Sequence, residues 1–164
     1  MVISIYGGSG SGKTTLATAL QQYFLNDGRG CYLLSGDDYP HRIPKRNDEE
    51  QLRVYKEAGE DGLRGYLGTK KEIDFARINE VLAAFHEGKD TITLRHLERE
   101  DGEISSEETD FSGTSVLLLE WTHGGSDDLH GVDLSVFLES SPEETKERRI
   151  RRNRDENAAS PFIC

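Results

Sequence analysis

The sequence predicts an α/β protein built on a doubly wound parallel sheet, and three observations carry that expectation. β-Branched and apolar runs alternate with amphipathic helical stretches along most of the chain. Val116-Leu117-Leu118-Leu119 is apolar at every position, as in a central parallel strand covered on both faces. Between the first strand-like run and the first helix-like run lies Gly7-Gly8-Ser9-Gly10-Ser11-Gly12-Lys13-Thr14.

Val2-Ile3-Ser4-Ile5-Tyr6 reads as a buried strand. The octapeptide after it fits the phosphate-binding pattern G-x-x-x-x-G-K-[ST] at every fixed position. Its four glycines let the backbone bend toward an anion without Cβ clashes, so that successive N–H groups point into one concavity. A helix starting near Gly12 adds its positive end, with Leu16, Leu20, Tyr23 and Phe24 on one face. Lys13 would supply a mobile charge to the β- and γ-phosphates, and the Thr14 hydroxyl would ligate Mg²⁺. This spelling indicates nucleotide phosphates. It leaves the reaction open, because switches, motors and transport ATPases share it.

Asn26-Asp27-Gly28 stops the first helix, and Cys31–Ser35 forms a second strand ending at Gly36-Asp37-Asp38. Residues 39–47, with Pro40 and Pro44, read as loop, 48–58 as helix, and the glycine-rich 59–72 as irregular. Asp74 is placed to cap a helix over 75–87, whose stripe Phe75, Ile78, Val81, Leu82 and Phe85 reads as core. Residues 91–97 alternate as a strand, Asp101-Gly102 signals a hairpin turn, and the acidic stretch 98–110 reads as a solvated hairpin tip. Val132–Leu138 is a further core strand. Ser141-Pro142-Glu143-Glu144 then opens a helix with Ser141 at the N-cap and Pro142 at N1.

The bulk properties narrow the partners. The chain has 164 residues, the size of one α/β domain, with no repeat and no linker. No apolar run reaches membrane-spanning length, and the N-terminus enters the first strand without a basic leader. Cys31 and Cys164 form neither a metal spacing nor a disulfide framework, which suits the cytoplasm. The net charge of -11 argues against a broad grip on nucleic acid or an anionic membrane. Two local basic clusters, His41-Arg42 with Lys45-Arg46 and the run from Lys146 to Arg154, suit small anionic ligands instead.

In open α/β sheets ligands sit beyond the carboxyl ends of the strands. The second strand leads to Asp37-Asp38, and the run 116–119 leads to Glu120, with His123 just beyond. A carboxylate beside a polyphosphate either holds Mg²⁺ or takes the proton of an attacking hydroxyl. Glu120 is assigned with Thr14 to the metal, and Asp37 or Asp38 to the base. In the basic helix, Arg148 and Arg151 have acidic partners four residues upstream, whereas Arg149, Arg152 and Arg154 have none. Arg149 and Arg152 share a face and are candidates to clamp transferring phosphates.

These residues together (the loop from Gly8 to Thr15, Asp37-Asp38-Tyr39, the apolar strand ending in Glu120, and the arginines after 148) resemble the uridine kinase, nicotinamide riboside kinase and phosphoribulokinase group of P-loop kinases. The resemblance implies a three-layer P-loop NTPase fold with a parallel core sheet. It implies a single kinase domain over 1–164, with an inserted hairpin at about 91–106 and an Arg-rich lid at about 148–160. It implies ATP and Mg²⁺, bound by Gly8, Ser9, Gly10, Ser11, Gly12, Lys13, Thr14 and Thr15, with Arg154 closing from the lid.

Asp38-Tyr39-Pro40-His41-Arg42 and Glu120-Trp121-Thr122-His123-Gly124 look like stretches of the phosphoribulokinase branch. That likeness implies an acceptor site holding Tyr39, His41, Arg42 and His123. The chain departs from the branch at Pro40 and at Trp121, where the family often has Gly. It also ends soon after the lid, where such kinases continue with another strand and helix, so a truncated or minimal form is expected.

The reading is therefore an ATP-dependent kinase for a hydroxyl of a nucleoside, sugar or sugar phosphate, with a small-molecule acceptor as partner, an anionic one among the candidates; homo-oligomerisation is left open. Two alternatives stand beside it. One is an adenylylsulfate-type kinase, which also has a P-loop and an anionic acceptor. The other is a nucleotide switch or regulatory binder without an acceptor; a guanine-specific switch should carry N-K-x-D, a tetrapeptide this sequence lacks, and Asp128-Leu129-His130-Gly131 matches D-x-x-G but reads as a turn.

Overall fold

The structure is a computed structural model that describes residues 1–97, 103–141, 143 and 145. Its centre is a parallel sheet of β1 (Val2–Gly7), β2 (Gly30–Ser35), β5 (Thr114–Trp121) and β6 (Leu134–Leu138), in the order β2-β5-β1-β6. β5 lies between β2 and β1, the inner place that its unbroken apolar run predicts. Leu117, Leu118 and Leu119 are all fully buried.

Side chains alternate across the sheet and build two cores. Ile3, Ile5, Val116 and Leu118 pack with Ala17 and Phe24 of α1 (Lys13–Asn26) on one face. Val2, Leu34, Leu117, Leu119 and Trp121 pack on the other against Phe75, Ile78, Val81 and Leu82 of α3 (Phe75–His86). Helix, sheet and helix make the three layers expected of a P-loop NTPase fold. Asp74 caps α3 as predicted, its carboxylate accepting from the Arg77 amide at 3.1 Å.

An antiparallel pair, β3 (Thr91–Leu97) and β4 (Ile104–Asp110), adds Ile92 and Leu94 to the α3 side of the core. The hairpin is longer than expected: residues 104–110, read as part of a solvated tip, form a full strand in register with β3. Their side chains are nearly all exposed, so composition signalled solvent correctly, while the backbone finds its partners across the pair. The predicted turn at Asp101-Gly102 lies outside the described residues.

The region after β2 also differs. Residues 44–47, read as loop, open α2 (Pro44–Arg64); its helical backbone is interrupted at Gly59 (φ +67°, ψ -160°), where the expected helix ends, and 60–64, read as irregular, form a second helical piece beyond that kink. Pro44 occupies the first helical position, where a missing N–H costs nothing, so this proline starts the helix. The turn before β6 falls earlier than expected, over Ser126–Leu129, where the Leu129 amide donates to the Ser126 carbonyl at 3.1 Å, and Asp128–Gly131 only overlaps it. It is tied to α3 by the Asn79 side-chain amide, which donates to the Asp128 carbonyl at 2.9 Å. Among the described residues no helix is long and apolar enough to cross a membrane.

Candidate active site

The loop between β1 and α1 has the backbone that its glycines allow. Gly10 and Gly12 hold φ of +83° and +100°, and Gly7 +148°. A Cβ on Gly7 would lie 2.3 Å from the Leu138 carbonyl oxygen of β6, so the loop leaves the sheet where no side chain fits. The Ser11 amide donates to the Gly8 carbonyl at 3.2 Å and closes the turn. Lys13 is only 7% exposed, and its Nζ donates to the Gly8 carbonyl at 2.9 Å, folding the ammonium back over the loop. Thr14 and Thr15 are exposed in the first turn of α1.

Register fixes the rest of the site. Glu120 of β5 lies level with Ile5 of β1 on one side and Ser35 of β2 on the other. It therefore stands between the phosphate loop and the short 3₁₀ turn Gly36–Asp38 that follows β2. Thr14 and Glu120 offer a hydroxyl and a carboxylate oxygen, the hard donors Mg²⁺ takes alongside nucleotide phosphates. Among the described residues no group of three or more His, Cys, Asp or Glu side chains makes a metal cage. The donor set fits an ion that arrives with a nucleotide, a mode in which Mg²⁺ keeps several waters.

Beside this lies a cleft of about 310 Å³, lined by Gly36, Asp37, Asp38, Pro40, Pro44, Asn47, Asp48, Glu72, Ile73, Leu97, Trp121 and His123. Four of these residues are carboxylic acids, and none is Lys or Arg. Asp37 is exposed to the cleft, whereas Asp38 lies 4.0 Å from His96 Nδ1 of β3. His96 also approaches Glu107 of β4 at 3.7 Å, so Asp38 faces the hairpin. Desolvation raises the Asp48 carboxyl above its ordinary value.

Burial holds the His123 imidazole below its ordinary pKa, opposed by the charges of Glu72 and Asp37 and reinforced by Lys13. The shift favours the neutral imidazole near pH 7. Its ring stands perpendicular to that of Trp121, centroids 5.6 Å apart.

Of the predicted acceptor residues, the structure brings His123 to the cleft with Asp37 and Asp38, and it places three others elsewhere. Tyr39 is 0% exposed, a core side chain whose hydroxyl is pushed up to about 12 by burial. His41 turns to the segment before α3, with Nε2 3.0 Å from the Lys70 carbonyl. Arg42 donates to the Tyr66 hydroxyl and the Lys71 carbonyl, both at 3.2 Å. With Lys45, Arg46 and Arg53 it borders a groove that also holds Glu49 and Glu50, apart from the cleft. Pro40 explains the departure: it bridges to Ile73 and sends the chain along the 66–74 segment. Arg149, Arg152 and Arg154 lie outside the described residues.

Sequence reasoning missed Glu72, Asn47 and Asp48. All three fell in stretches read as loop, irregular chain or the start of a helix. A lone carboxylate between two lysines and an isoleucine carries no motif; the only available signal was the apolar Ile73 beside it.

A phosphate loop at the head of α1, with an acid between it and an acidic cleft, all at the carboxyl ends of a parallel sheet, defines a P-loop kinase. The chain belongs to the phosphoribulokinase / uridine kinase family, whose model matches residues 2–160. It is 92% identical over 164 residues to the bifunctional alpha-galactosidase/sucrose kinase AgaSK of Mediterraneibacter gnavus, covering all of this chain and 18% of that protein. The fold is shared with a possible uridine kinase from Bacillus stearothermophilus, at a TM-score of 0.65 and 20% identity over 94% of this chain and 79% of that one. It is shared also with phosphoribulokinase from Rhodobacter spheroides, at 0.63 and 17% over 83% and 50%.

Proposed function

We propose that the chain transfers the γ-phosphate of ATP to a hydroxyl of a neutral sugar, with sucrose the first candidate. The observation that carries this reading is the lining of the cleft. Asp37, Asp38 and Asp48 line it together with the buried Glu72, and among the described residues no lysine or arginine side chain stands in its walls. Carboxylates accept hydrogen bonds from sugar hydroxyls and repel a phosphate or sulfate. The basic residues 41–46, which suggested an anionic acceptor, point elsewhere. Identity of 92% to a protein named as a sucrose kinase supports the same acceptor class.

Asp37 is the base of this reading, because it is exposed to the cleft while Asp38 faces His96. Asp37 takes the proton of the acceptor hydroxyl, and the hydroxyl oxygen bonds to the γ-phosphorus. The bond from that phosphorus to the β,γ-bridging oxygen breaks, and ADP leaves with the electron pair. The loop amides and Lys13 orient the phosphates and offset their charge. Mg²⁺, held by Thr14 and Glu120, supplies further charge neutralisation when bound. Neutral His123 can exchange a hydrogen bond with a sugar hydroxyl near Asp37.

The test is ADP release measured with sucrose, glucose, fructose, uridine, ribulose 5-phosphate and adenylyl sulfate as acceptors. Turnover with a neutral sugar is expected. Turnover confined to the phosphorylated or sulfated compounds, or hydrolysis without any acceptor as the sole activity, would overturn the reading.

A further inference from the structure

We infer that Glu72 is the positioning residue of the acceptor site: its buried carboxylate fixes the wall that meets the sugar and takes no part in phosphoryl transfer. This rests on the sugar-kinase reading above. Glu72 is 4% exposed, although it precedes α3 in a polar segment. A buried carboxylate is tolerated only when its oxygens are well supplied with donors. Here Oε1 accepts from Asn47 Nδ2 at 2.9 Å and from Gln51 Nε2 at 2.8 Å, and Oε2 accepts from the Gly68 amide at 2.6 Å.

These bonds join two walls of the cleft. Asn47 and Gln51 lie one helical turn apart on α2, so one carboxylate oxygen sets the rotation of that helix toward the cleft. The bond to Asn47 also decides which end of its amide faces Glu72. The carbonyl end accepts from the Tyr66 hydroxyl at 3.4 Å, and Tyr66 in turn accepts from Arg42.

The other oxygen holds Gly68, at φ +69°, close against His123. A Cβ on Gly68 would come within 2.5 Å of His123 Nδ1. Glu72 thus sets two cleft groups at once, the Asn47 amide directly and the His123 ring through Gly68. Three of its roughly four acceptor sites are taken by these N–H groups, so the carboxylate is occupied in support and leaves proton transfer to Asp37.

The experiment uses the whole protein and steady-state kinetics with the sugar that it turns over best. Glu72→Gln keeps the shape but turns an N–H₂ group toward one set of donors. It should raise the sugar KM about tenfold, the loss of one charge-assisted contact, while kcat at saturating sugar and the ATP KM stay within about twofold. Asn47→Asp alone, which sets two carboxylates against each other, should raise the sugar KM similarly. The double variant Asn47→Asp/Glu72→Gln exchanges amide and carboxylate across the contact and should recover most of the loss.

Gln51→Leu, which removes one donor and leaves Glu72 intact, should raise the sugar KM about threefold and serves if Glu72→Gln does not fold. An unchanged sugar KM in the folded variants, equal losses in kcat and the ATP KM, or a double variant no better than the worse single one would overturn the inference. If the unmodified protein turns over no neutral sugar, the acceptor reading itself falls, a result distinct from normal turnover with an unresponsive Glu72.

Discussion

Gly36 lies directly against the ring of Trp121: a Cβ at position 36 would sit 2.1 Å from Trp121 Cγ and 2.6 Å from its Cβ. Trp121 is 1% exposed and packs on Phe75 of α3 with centroids 5.5 Å apart, so it has no room to retreat. The bare backbone of Gly36 is what allows a tryptophan at the end of β5 to coexist with the aspartate turn after β2. Gly36→Ala should therefore destabilise the fold by about 1–3 kcal/mol, the range for overpacking a tight interior. Chemical denaturation checks this; a midpoint equal to that of the unmodified protein would show that the contact relaxes freely.

The two aspartates should separate in kinetics. Asp37→Asn is expected to lower kcat by about 100- to 10,000-fold, the range for losing a general base, with ATP binding retained. Asp38→Asn removes a carboxylate that faces His96 and should cost less in kcat than Asp37→Asn. Nucleotide titration followed by single-turnover rates distinguishes the two. A larger kcat loss at Asp38 would reverse the assignment.

Lys13 carries charge toward the phosphate loop from a nearly buried position. Lys13→Ala should lower kcat by at least about 100-fold, as expected when a cation at the developing charge is lost. Stability should change little, because the charge lost is one that folding must desolvate. Activity assay and thermal melting on the same preparation test both halves.

His123 gives a pH signature. Burial lowers its folded pKa below the ordinary value of 6.5, so the unfolded chain binds the proton more readily. The stability that the neutral ring provides is present above about pH 6.5 and is lost as pH falls through the lowered folded value. His123→Gln should flatten the dependence of melting temperature on pH as pH falls below about 6.5, relative to the unmodified protein. Parallel curves for the two proteins would remove His123 as the source.

Much of this protein was legible in local spelling. The phosphate loop needs particular residues at fixed offsets, because backbone bending and one lysine do its work. The unbroken apolar run at 116–119 announced an inner strand, since only a strand covered on both faces can afford it. Asp74 announced the start of α3 through its side-chain cap. The start of α2 was misjudged because a proline signals loop or first turn with the same letter; the break at Gly59 was read correctly, but not the helical piece that resumes beyond it.

The acceptor side was far less legible, for a physical reason. Tyr39, His41 and Arg42 are adjacent to Asp37-Asp38 in the chain, yet they point into the core or toward residues 66–74. Glu72 is remote from Asn47 in sequence but holds its amide at 2.9 Å. The sequence by itself determined the phosphate-binding half of the site, which is one continuous stretch of backbone ending in a helix. Only the tertiary structure decided which face of each segment after β2 turns toward that stretch. That choice depends on packing between elements distant in the chain, here the fit of Trp121 on Gly36 and the buried carboxylate of Glu72.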